Sequence, residues 1–336
     1  YTFENHSKKI AIVTNSDESN DVLVGAIPES ASGSRLDKVM PSVFPPYSRS
    51  QLQVWLKQGR ILMGNGIPSP RLIVSGGEVL SLVVPELPSL KWAPEDLHLS
   101  IEYEDADLVV INKPAGLVVH PGAGNGSGTL ANAILYRYPN TASLPRAGIV
   151  HRLDKDTSGL IVVALSERAR GYLIQTLERR EVVREYLAVV NGCPISGGNI
   201  DAPIGRHPRD RIKMAVTETG KSAETQYRVL KRFRSHSLLG LKLKSCRTHQ
   251  IRVHMTHLGF PLVGDSLYGS RVRIPSQASD QVIDALRKFG RQALHATQLG
   301  FDHPVSGESL LWTSPMPADI DLLTKALSED ADQTCF

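Results

Sequence analysis

Cysteine is scarce in this chain: its 336 residues include three, Cys193, Cys246 and Cys335, and no two of them have CxxC spacing. This usage argues against a disulfide framework or a zinc ribbon and fits a reducing compartment. No apolar run approaches the roughly 20 residues that a membrane helix needs. The first residues also lack the charged-then-apolar pattern of a secretory signal. We therefore expect a cytoplasmic protein without a membrane segment.

Nucleotide-binding motifs are also missing. The glycine-rich stretch "PGAGNGSG" at 121–128 contains neither a GxxxxGK[ST] loop nor GxGxxG spacing between a strand and a helix. We therefore expect no nucleotide cofactor.

Acidic residues are scarce between positions 206 and 254, where three of them accompany thirteen lysines and arginines, although the whole chain has a net charge of only +4. A basic block of this kind favours a polyanionic partner. A solvated strand face with alternating lysine and arginine has the same composition, so charge alone leaves both interpretations open.

Composition and periodicity divide the chain into five segments. We predict a flexible leader over 1–32, a small α+β module over 33–86, a linker over 87–99, a larger domain over 100–320 and an acidic tail over 321–336. The larger domain alternates short strand patterns with helical patterns. This indicates an α+β fold with a mostly antiparallel sheet and flanking helices.

The stretch "HRLDKDTSGLIVVA" at 151–164 places a charged cluster directly before an apolar run. The run at 160–164 is rich in β-branched residues and predicts a buried strand. Ionisable groups at the mouth of such a strand are unfavourable unless they are paired. We therefore predict a functional role for them, with Arg152 and Asp154 on one face of a strand-like segment.

Six ordered motifs resemble the large-subunit pseudouridine synthases of the A/D family. They are "INKPAGLVVHPGAGN", "RAGIVHRLDKDTSGLIVVA", "REYLAVVNG", "RHPRDRIKMAV", "CRTHQIRVHMTHLGFPLVGD" and "LHATQLGFDHPVSG". The likeness extends from residue 33 to about 320, and the "VHPGAGN" loop is similar to the D-type branch. The resemblance implies the pseudouridine synthase fold and an isomerase that converts uridine to pseudouridine without cofactor or metal. It also implies a monomer that acts on 23S rRNA or the large ribosomal subunit, with the stem-loop called helix 69 as target.

The same resemblance assigns roles to residues of the motifs. Asp154 is the catalytic aspartate, Arg252 is its basic partner, and Tyr186 packs on the flipped uracil and takes the carbon 5 proton. Arg152 fills the space that the flipped base leaves, because an enzyme that acts on a base must take it out of the stack. Further RNA contacts are implied for His151, Arg206, Arg247 and His249.

The segment 33–86 is similar to the alpha-L RNA-binding module first known from a small-subunit ribosomal protein. The matching pieces are "SRLDKVM", "SRSQLQVWLKQGRILMGNG" and "GGEVLSLVVP", in that order. By this resemblance, the RNA face carries five basic residues: Arg35, Lys38, Arg49, Lys57 and Arg60.

Several alternatives stay open at this point. A carboxylate such as Asp154 can attack the anomeric carbon or remove a ribose proton on the way to a glycal. The target could be tRNA or another rRNA site, or the chain could be a non-catalytic RNA-binding assembly factor. A metal-dependent hydrolase built on His249, His254 and His257 is a further alternative, although their spacing is not that of an HExxH site. Cys246 stands where the family usually has glycine, which raises a question about the local backbone.

Overall fold

The computed structural model describes residues 11–13, 22–45, 47, 49–84, 92–122, 125–269 and 272–333. The chain divides into two compact units, Tyr1–Ser89 and Leu90–Phe336. The described part of the first unit contains β1 (Ala11–Val13), β2 (Val22–Ala26), α1 (Leu36–Val43), α2 (Arg49–Lys57), β3 (Ile61–Met63) and β4 (Val79–Val83).

The first unit packs two helices on an antiparallel sheet with the strand order β1-β2-β4-β3. Its small core consists of apolar residues from both helices, from β3 and β4 and from loops. They include Leu36, Met40, Leu52, Leu56, Ile61, Leu80 and Leu82. The helices α1 and α2 and the strands β3 and β4 agree with the small α+β module that we predict over 33–86.

The predicted leader is wrong at its carboxyl end. Val22–Ala26 forms β2, which pairs along its whole length with β4 and on its other side with β1. Ile27, directly after this strand, is 1% exposed. The segment 22–27 is therefore part of the first unit, because β2 completes the sheet that covers the core. Residues 1–10 and 14–21 of the predicted leader lie outside the described residues.

The second unit is built around a nine-stranded sheet with the order β5-β6-β7-β14-β8-β13-β12-β9, in which β15 also pairs with β14. Its elements are β5 (Ile101–Glu104), β6 (Leu108–Lys113), α3 (Leu130–Arg137), β7 (Ser158–Ala164), α4 (Glu167–Glu178), β8 (Val183–Asn191), β9 (Gly198–Asp201), β10 (Ile204–Arg206), β11 (Met214–Val216), β12 (Glu224–Arg232), β13 (His236–Leu243), α5 (Gln250–His257), α6 (Asp280–Lys288), β14 (Leu294–Asp302), β15 (Ser309–Thr313) and α7 (Ala318–Gln333). Among the described strands, only β7 and β14 pair in parallel. The predicted α+β class with a mostly antiparallel sheet is confirmed. No helix in the described ranges is long and apolar enough to cross a membrane.

Strand β7 lies in the centre of this sheet, and all seven of its residues are buried, as the apolar run predicts. Gly159 in this strand has φ +110°, and a Cβ there would lie 2.1 Å from the carbonyl oxygen of Ala296 on β14. Only glycine allows the two backbones to approach this closely. The close approach fixes the start of β7, and therefore the segment before it, against β14.

The predicted linker and tail both belong in part to the second unit. Trp92 and Leu99 pack against its core, and the Asn132 side chain donates to the carbonyl of Ala93 at 2.7 Å. Helix α7 buries Leu323 and Leu327 against α6, because its apolar residues recur at helical spacing beneath the acidic ones. Residues 87–91 and 334–336 lie outside the description.

Candidate active site

The segment 151–157 is a loop and not the strand-like segment that we predict from the sequence. Leu153 is buried in the core, while the backbone N–H of Thr157 donates to the carbonyl of Asp154 at 3.1 Å and closes a turn. Arg152 and Asp154 nevertheless line the same small cavity, of about 50 Å³. The two side chains therefore share one cavity although the segment between them is not a strand.

Three polar side chains hold this loop, one from the end of β6 and two from the segment just before β14. Lys113, at the end of β6, donates from Nζ to the carbonyl of Lys155 at 2.9 Å. Arg291 donates from Nη1 to the carbonyl of Asp156 at 3.0 Å, and Gln292 donates from Nε2 to Oγ1 of Thr157 at 3.1 Å. The loop that carries Asp154 is therefore anchored on both sides, which is the kind of support that a precise site needs.

Asp154 pairs with Arg252, which lies 98 residues further along the chain on α5. Arg252 Nη1 donates to Oδ2 of Asp154 at 3.0 Å. The other edge of the guanidinium forms a bidentate pair with Asp265. Nε donates to Oδ2 at 2.7 Å, and Nη2 donates to Oδ1 at 2.8 Å. The guanidinium also lies over the ring of Tyr268, 4.9 Å from its centroid. One arginine therefore connects a fully buried carboxylate to the carboxylate that faces the cavity.

The electrostatics of this network favour the charged forms of Arg252 and Asp265. Burial opposes the charge of Arg252, but the hydrogen bonds and the negative charge of Asp265 raise the pKa of the guanidinium. Burial also opposes the charge of Asp265, but its hydrogen bonds with Arg252 lower the pKa of that carboxyl. Two backbone N–H groups, of Leu267 and Tyr268, donate to the same carboxylate at 3.0 Å. Asp265 is thus an anchor that keeps Arg252 in place beneath Asp154.

His249 stands on the other side of Asp154, with Nε2 3.9 Å from Oδ1. It precedes α5 with φ 57°, in the left-handed region that non-glycine residues seldom adopt. The backbone N–H of Met214 donates to the hydroxyl oxygen of Tyr268, and that oxygen lies 2.7 Å from Nδ1 of His249. Burial lowers the pKa of His249. A neutral ring held at Nδ1 by the phenol directs Nε2 towards Asp154.

Tyr186 lies on β8 and lines the Asp154 cavity together with apolar side chains from β13, α5 and β14. It is 7% exposed, and burial raises the pKa of its phenol. The cavity thus combines one carboxylate, one aromatic ring and an apolar wall. A flat base could enter such a space with its sugar next to the carboxylate.

A larger cleft of about 450 Å³ adjoins this cavity and shares Arg152, Cys246 and Arg247 with it. His151 lines the cleft, but its Nε2 accepts a hydrogen bond from the backbone N–H of Val162 at 3.0 Å. Burial lowers the pKa of His151 to about 3, so this histidine is neutral near pH 7. The sequence places His151 in a charged cluster, but in the structure it is an uncharged hydrogen-bond acceptor.

The remaining predicted RNA contacts of the second unit lie around Arg247. Arg247 donates from Nε to the carbonyl of Ser222 at 3.1 Å, which directs its side chain. Arg206, at the end of β10, is exposed and lines a further cleft that Arg247 and Cys246 also border.

Cys246 itself does not have a positive φ, so the backbone there does not require the usual glycine.

The histidines of the hydrolase alternative do not face one common point. His254 is fully buried, and its two ring nitrogens lie 2.9 Å from Oγ1 of Thr225 and 2.9 Å from the carbonyl of Ala202. His249 uses Nδ1 with Tyr268. These bonds disfavour a metal site built on His249, His254 and His257.

In the first unit, Arg35 and Arg49 converge on one residue that the sequence did not single out. Both guanidinium groups bind Asp37, whose side chain is 2% exposed, whereas those of the two arginines are 42% and 49% exposed. The hydrogen bond from Arg49 lowers the pKa of Asp37 against the effect of burial. Lys38 and Lys57 are exposed on α1 and α2, and Arg60 is half-buried after α2.

Several residues of the site were missed in the sequence: Asp265, Tyr268, Lys113, Arg291 and Gln292. Two of them carried a signal, because Lys113 lies in the "INKP" motif and Asp265 ends "FPLVGD". A lysine or aspartate inside an apolar motif is buried only when it is paired. The other three could not be assigned, since their roles depend on contacts between distant parts of the chain.

Comparisons with known proteins show which family the chain resembles. The family model described as RNA pseudouridylate synthase matches residues 107–257. The chain is 52% identical to "Ribosomal large subunit pseudouridine synthase D" of Xanthomonas campestris, over 91% of this chain and 92% of that protein. It is 50% identical to the protein of the same name from Pseudomonas aeruginosa, over 91% and 96%.

Among solved structures, human RNA pseudouridylate synthase domain containing 4 superposes with a TM-score of 0.54 at 28% identity. The match covers 68% of this chain and 93% of that one. Taken together with the identity to the bacterial relatives, this likeness shows that the chain belongs to the RNA pseudouridylate synthase family, whose members are isomerases.

Proposed function

We propose that this enzyme converts uridines of 23S rRNA to pseudouridine, in the loop of helix 69. The observation that carries the proposal is the carboxylate of Asp154, which faces a cavity with Tyr186 and is held by Arg252. Relatives about half identical over nine-tenths of the chain are named as large-subunit synthases, which supports an rRNA substrate. The cytoplasm, where ribosomal RNA is made, is the expected place of action, and a monomer remains our prediction.

The reaction needs a bond to be broken and a new one to be formed at the same sugar carbon. The bond from nitrogen 1 of uracil to the ribose breaks, the base rotates, and carbon 5 joins the same carbon. Asp154 serves this sequence either as a nucleophile on the anomeric carbon or as the base that removes a ribose proton. Arg252 is proposed to hold the carboxylate in line with the sugar, because Asp265 fixes the other face of its guanidinium.

Tyr186 is proposed to pack against the uracil in the cavity. Burial raises the pKa of this phenol, so the free enzyme holds it protonated and uncharged, which suits contact with an uncharged base. The second role that the resemblance implies, taking the carbon 5 proton, requires the phenol to pass its own proton on.

Arg152 is proposed to stabilise the flipped state of the RNA. Its side chain is exposed and lines both the cavity and the cleft beside it, so it is in reach of the space that the base leaves. We expect Arg152→Ala to weaken productive RNA binding more than the chemical step. A single-turnover rate at saturating enzyme that stays far below that of the wild type would contradict this role.

The test of the proposal is a map of pseudouridine on defined RNA. Unmodified 23S rRNA, large subunits and tRNA are incubated with the wild-type protein or with Asp154→Asn, and modified positions are read by sequencing. We expect signal in the helix 69 loop from the wild type alone. Signal confined to tRNA or to another rRNA site would overturn the substrate, and RNA binding without any modification would favour the assembly-factor alternative.

A further inference from the structure

Arg184 is a buried arginine of the second unit. It lies on β8 two residues before Tyr186, so both side chains point to the same face of the strand. It is 3% exposed, and none of its three guanidinium nitrogens has a hydrogen-bond partner among the residues that the structure describes. Arginine stays charged in proteins, and a buried charge without a partner is strongly unfavourable.

The contrast with Arg252 makes this position unusual. Arg252 is buried to a similar extent, but it has two carboxylates within 3.0 Å. Among the described residues, two carboxylates therefore compensate the charge of Arg252, whereas none forms a hydrogen bond or an ion pair with Arg184. A counter-ion from outside the protein is the simplest reason to keep Arg184 at this place.

The cleft next to Arg184 is suited to such an anion. Arg184 lines the cleft of about 450 Å³, together with residues of α4 and of the segments before β7 and α5. The charged residues among those described in its lining are five arginines and one acid: Arg146, Arg152, Arg180, Arg184, Arg247 and Glu178. This excess of positive charge in a concave site favours a phosphate group.

We propose that Arg184 is the buried charge beneath a phosphate subsite in this cleft, and that the RNA backbone is its counter-ion. The inference rests on the proposed function, since it takes RNA as the substrate. The guanidinium nitrogens lie below the cleft surface, so their attraction acts through a medium of low polarity, where it is stronger than in water. Arg152 and Arg247 line both this cleft and the Asp154 cavity, which places the subsite beside the nucleotide whose base enters the cavity.

The proposal separates RNA affinity from both stability and chemistry. Arg184→Met removes the charge and keeps much of the side-chain volume. We expect its melting temperature to equal or exceed that of the wild type, because an unpaired buried charge is lost. We expect the Kd for a 23S rRNA fragment to rise about tenfold and the salt slope of log Kd to fall by about one, as for a lost phosphate contact. The single-turnover rate at saturating enzyme should stay within about threefold.

Two matched variants serve as controls. Arg184→Lys keeps the charge and should restore most of the affinity. Arg287→Met removes one exposed arginine from α6, away from the lining of the cleft, and should change neither Kd nor the salt slope. An RNA-independent measurement uses inorganic pyrophosphate, which should raise the melting temperature of the wild type more than that of Arg184→Met.

The outcomes distinguish the subsite from the proposed function. If the wild type modifies RNA and Arg184→Met binds RNA with the Kd and salt slope of Arg287→Met, the subsite is wrong. A melting temperature that falls by several degrees, with no recovery of affinity in Arg184→Lys, would show a structural role instead. If no RNA is modified by the wild type but pyrophosphate still discriminates between the two proteins, the RNA substrate is wrong and the anion subsite stands.

Discussion

Each unit of this enzyme contains an aspartate that binds arginine, and the two pairs present opposite charges. In the first unit the acid is buried at 2% exposure, and the side chains of Arg35 and Arg49 are about half exposed around it. In the second unit Asp265 and Arg252 are both buried, and the group that reaches the cavity is the carboxylate of Asp154.

The difference shows how one kind of ion pair can support two functions. A buried acid beneath two half-exposed arginines restrains guanidinium groups that remain free to meet phosphate oxygens. A buried arginine between two acids restrains a carboxylate, which is what a reaction at a sugar carbon needs. We propose that the first arrangement serves RNA binding and the second serves catalysis, so changes in the two networks should have separable effects.

The largest effect is expected on the reaction rate, from a change of Asp154, the carboxylate that reaches the cavity in the second unit. Asp154→Asn keeps the shape of the side chain but removes its charge. We expect the single-turnover rate to fall by at least about a thousandfold, because the amide can serve neither as the nucleophile nor as the base. Asp156→Asn, two residues further along the same loop, should keep the rate within a few-fold, since the contact from Arg291 is to the backbone of Asp156. Equal losses in the two variants would contradict the assignment of Asp154.

Removing an arginine should destabilise the protein more in the buried network of the second unit than in the half-exposed network of the first unit. Arg252→Met leaves the fully buried carboxylate of Asp265 without its cation, which should lower the free energy of unfolding by about 3–5 kcal/mol. Arg49→Met removes one of two half-exposed arginines and should lower it by less than about 1 kcal/mol. Urea unfolding of both variants measures these values, and similar losses would mean that the two ion pairs are equivalent.

The pH dependence of stability tests the uncharged His151 in the loop that carries Asp154. The pKa of His151 is lowered to about 3 in the folded protein, whereas in the unfolded chain it is near 6.5. The unfolded chain therefore takes up a proton below pH 6.5 that the folded protein does not, and stability is lost as pH falls from 6.5 towards 3. Between pH 6.5 and pH 4 this amounts to about 3 kcal/mol. His151→Gln can still accept the hydrogen bond from Val162, and urea unfolding across this range should show a flatter pH profile; an unchanged profile would contradict a neutral His151.

The smallest effect is expected for single arginines of the first unit. Arg49→Met should raise the Kd for the rRNA substrate about threefold to tenfold and should reduce the salt slope by about one. The rate at saturating enzyme should be unchanged. Filter binding at several salt concentrations measures both the Kd and the salt slope. A lower rate at saturating enzyme would instead show that Arg49 acts in the chemical step.

Local patterns were enough to predict the elements whose environment is local or uniform. The run before Ala164 gives β7 because a strand covered on both faces has apolar residues throughout. The alternation of strand and helix patterns in the larger domain is also present, from the hairpin of β5 and β6 through α3 to β7. Strand β2 and helix α7 were not predicted, because their apolar residues lie in segments whose polar composition dominates the pattern.

The sequence predicted the residues that line the candidate site, but not the buried residues that position them. Asp154, Tyr186 and Arg252 were recognised from motifs, and the structure places them around one cavity. The roles of Asp265 and Arg184 depend on which charges meet after the sheet has formed, and no local pattern contains that information. His151 shows the same limit, since only the fold reveals that it accepts a hydrogen bond from β7.

The most direct test of the comparison exchanges the two anchoring carboxylates for amides. Asp265→Asn and Asp37→Asn are compared in one assay that gives both the single-turnover rate at saturating enzyme and the Kd for the rRNA substrate. We predict that Asp265→Asn lowers the rate by about tenfold or more with little change in Kd, because Arg252 no longer holds Asp154 in position. Asp37→Asn should weaken binding several-fold and leave the rate unchanged. If both variants lower the same quantity to the same extent, the two networks do not divide catalysis from RNA binding, and the account is wrong.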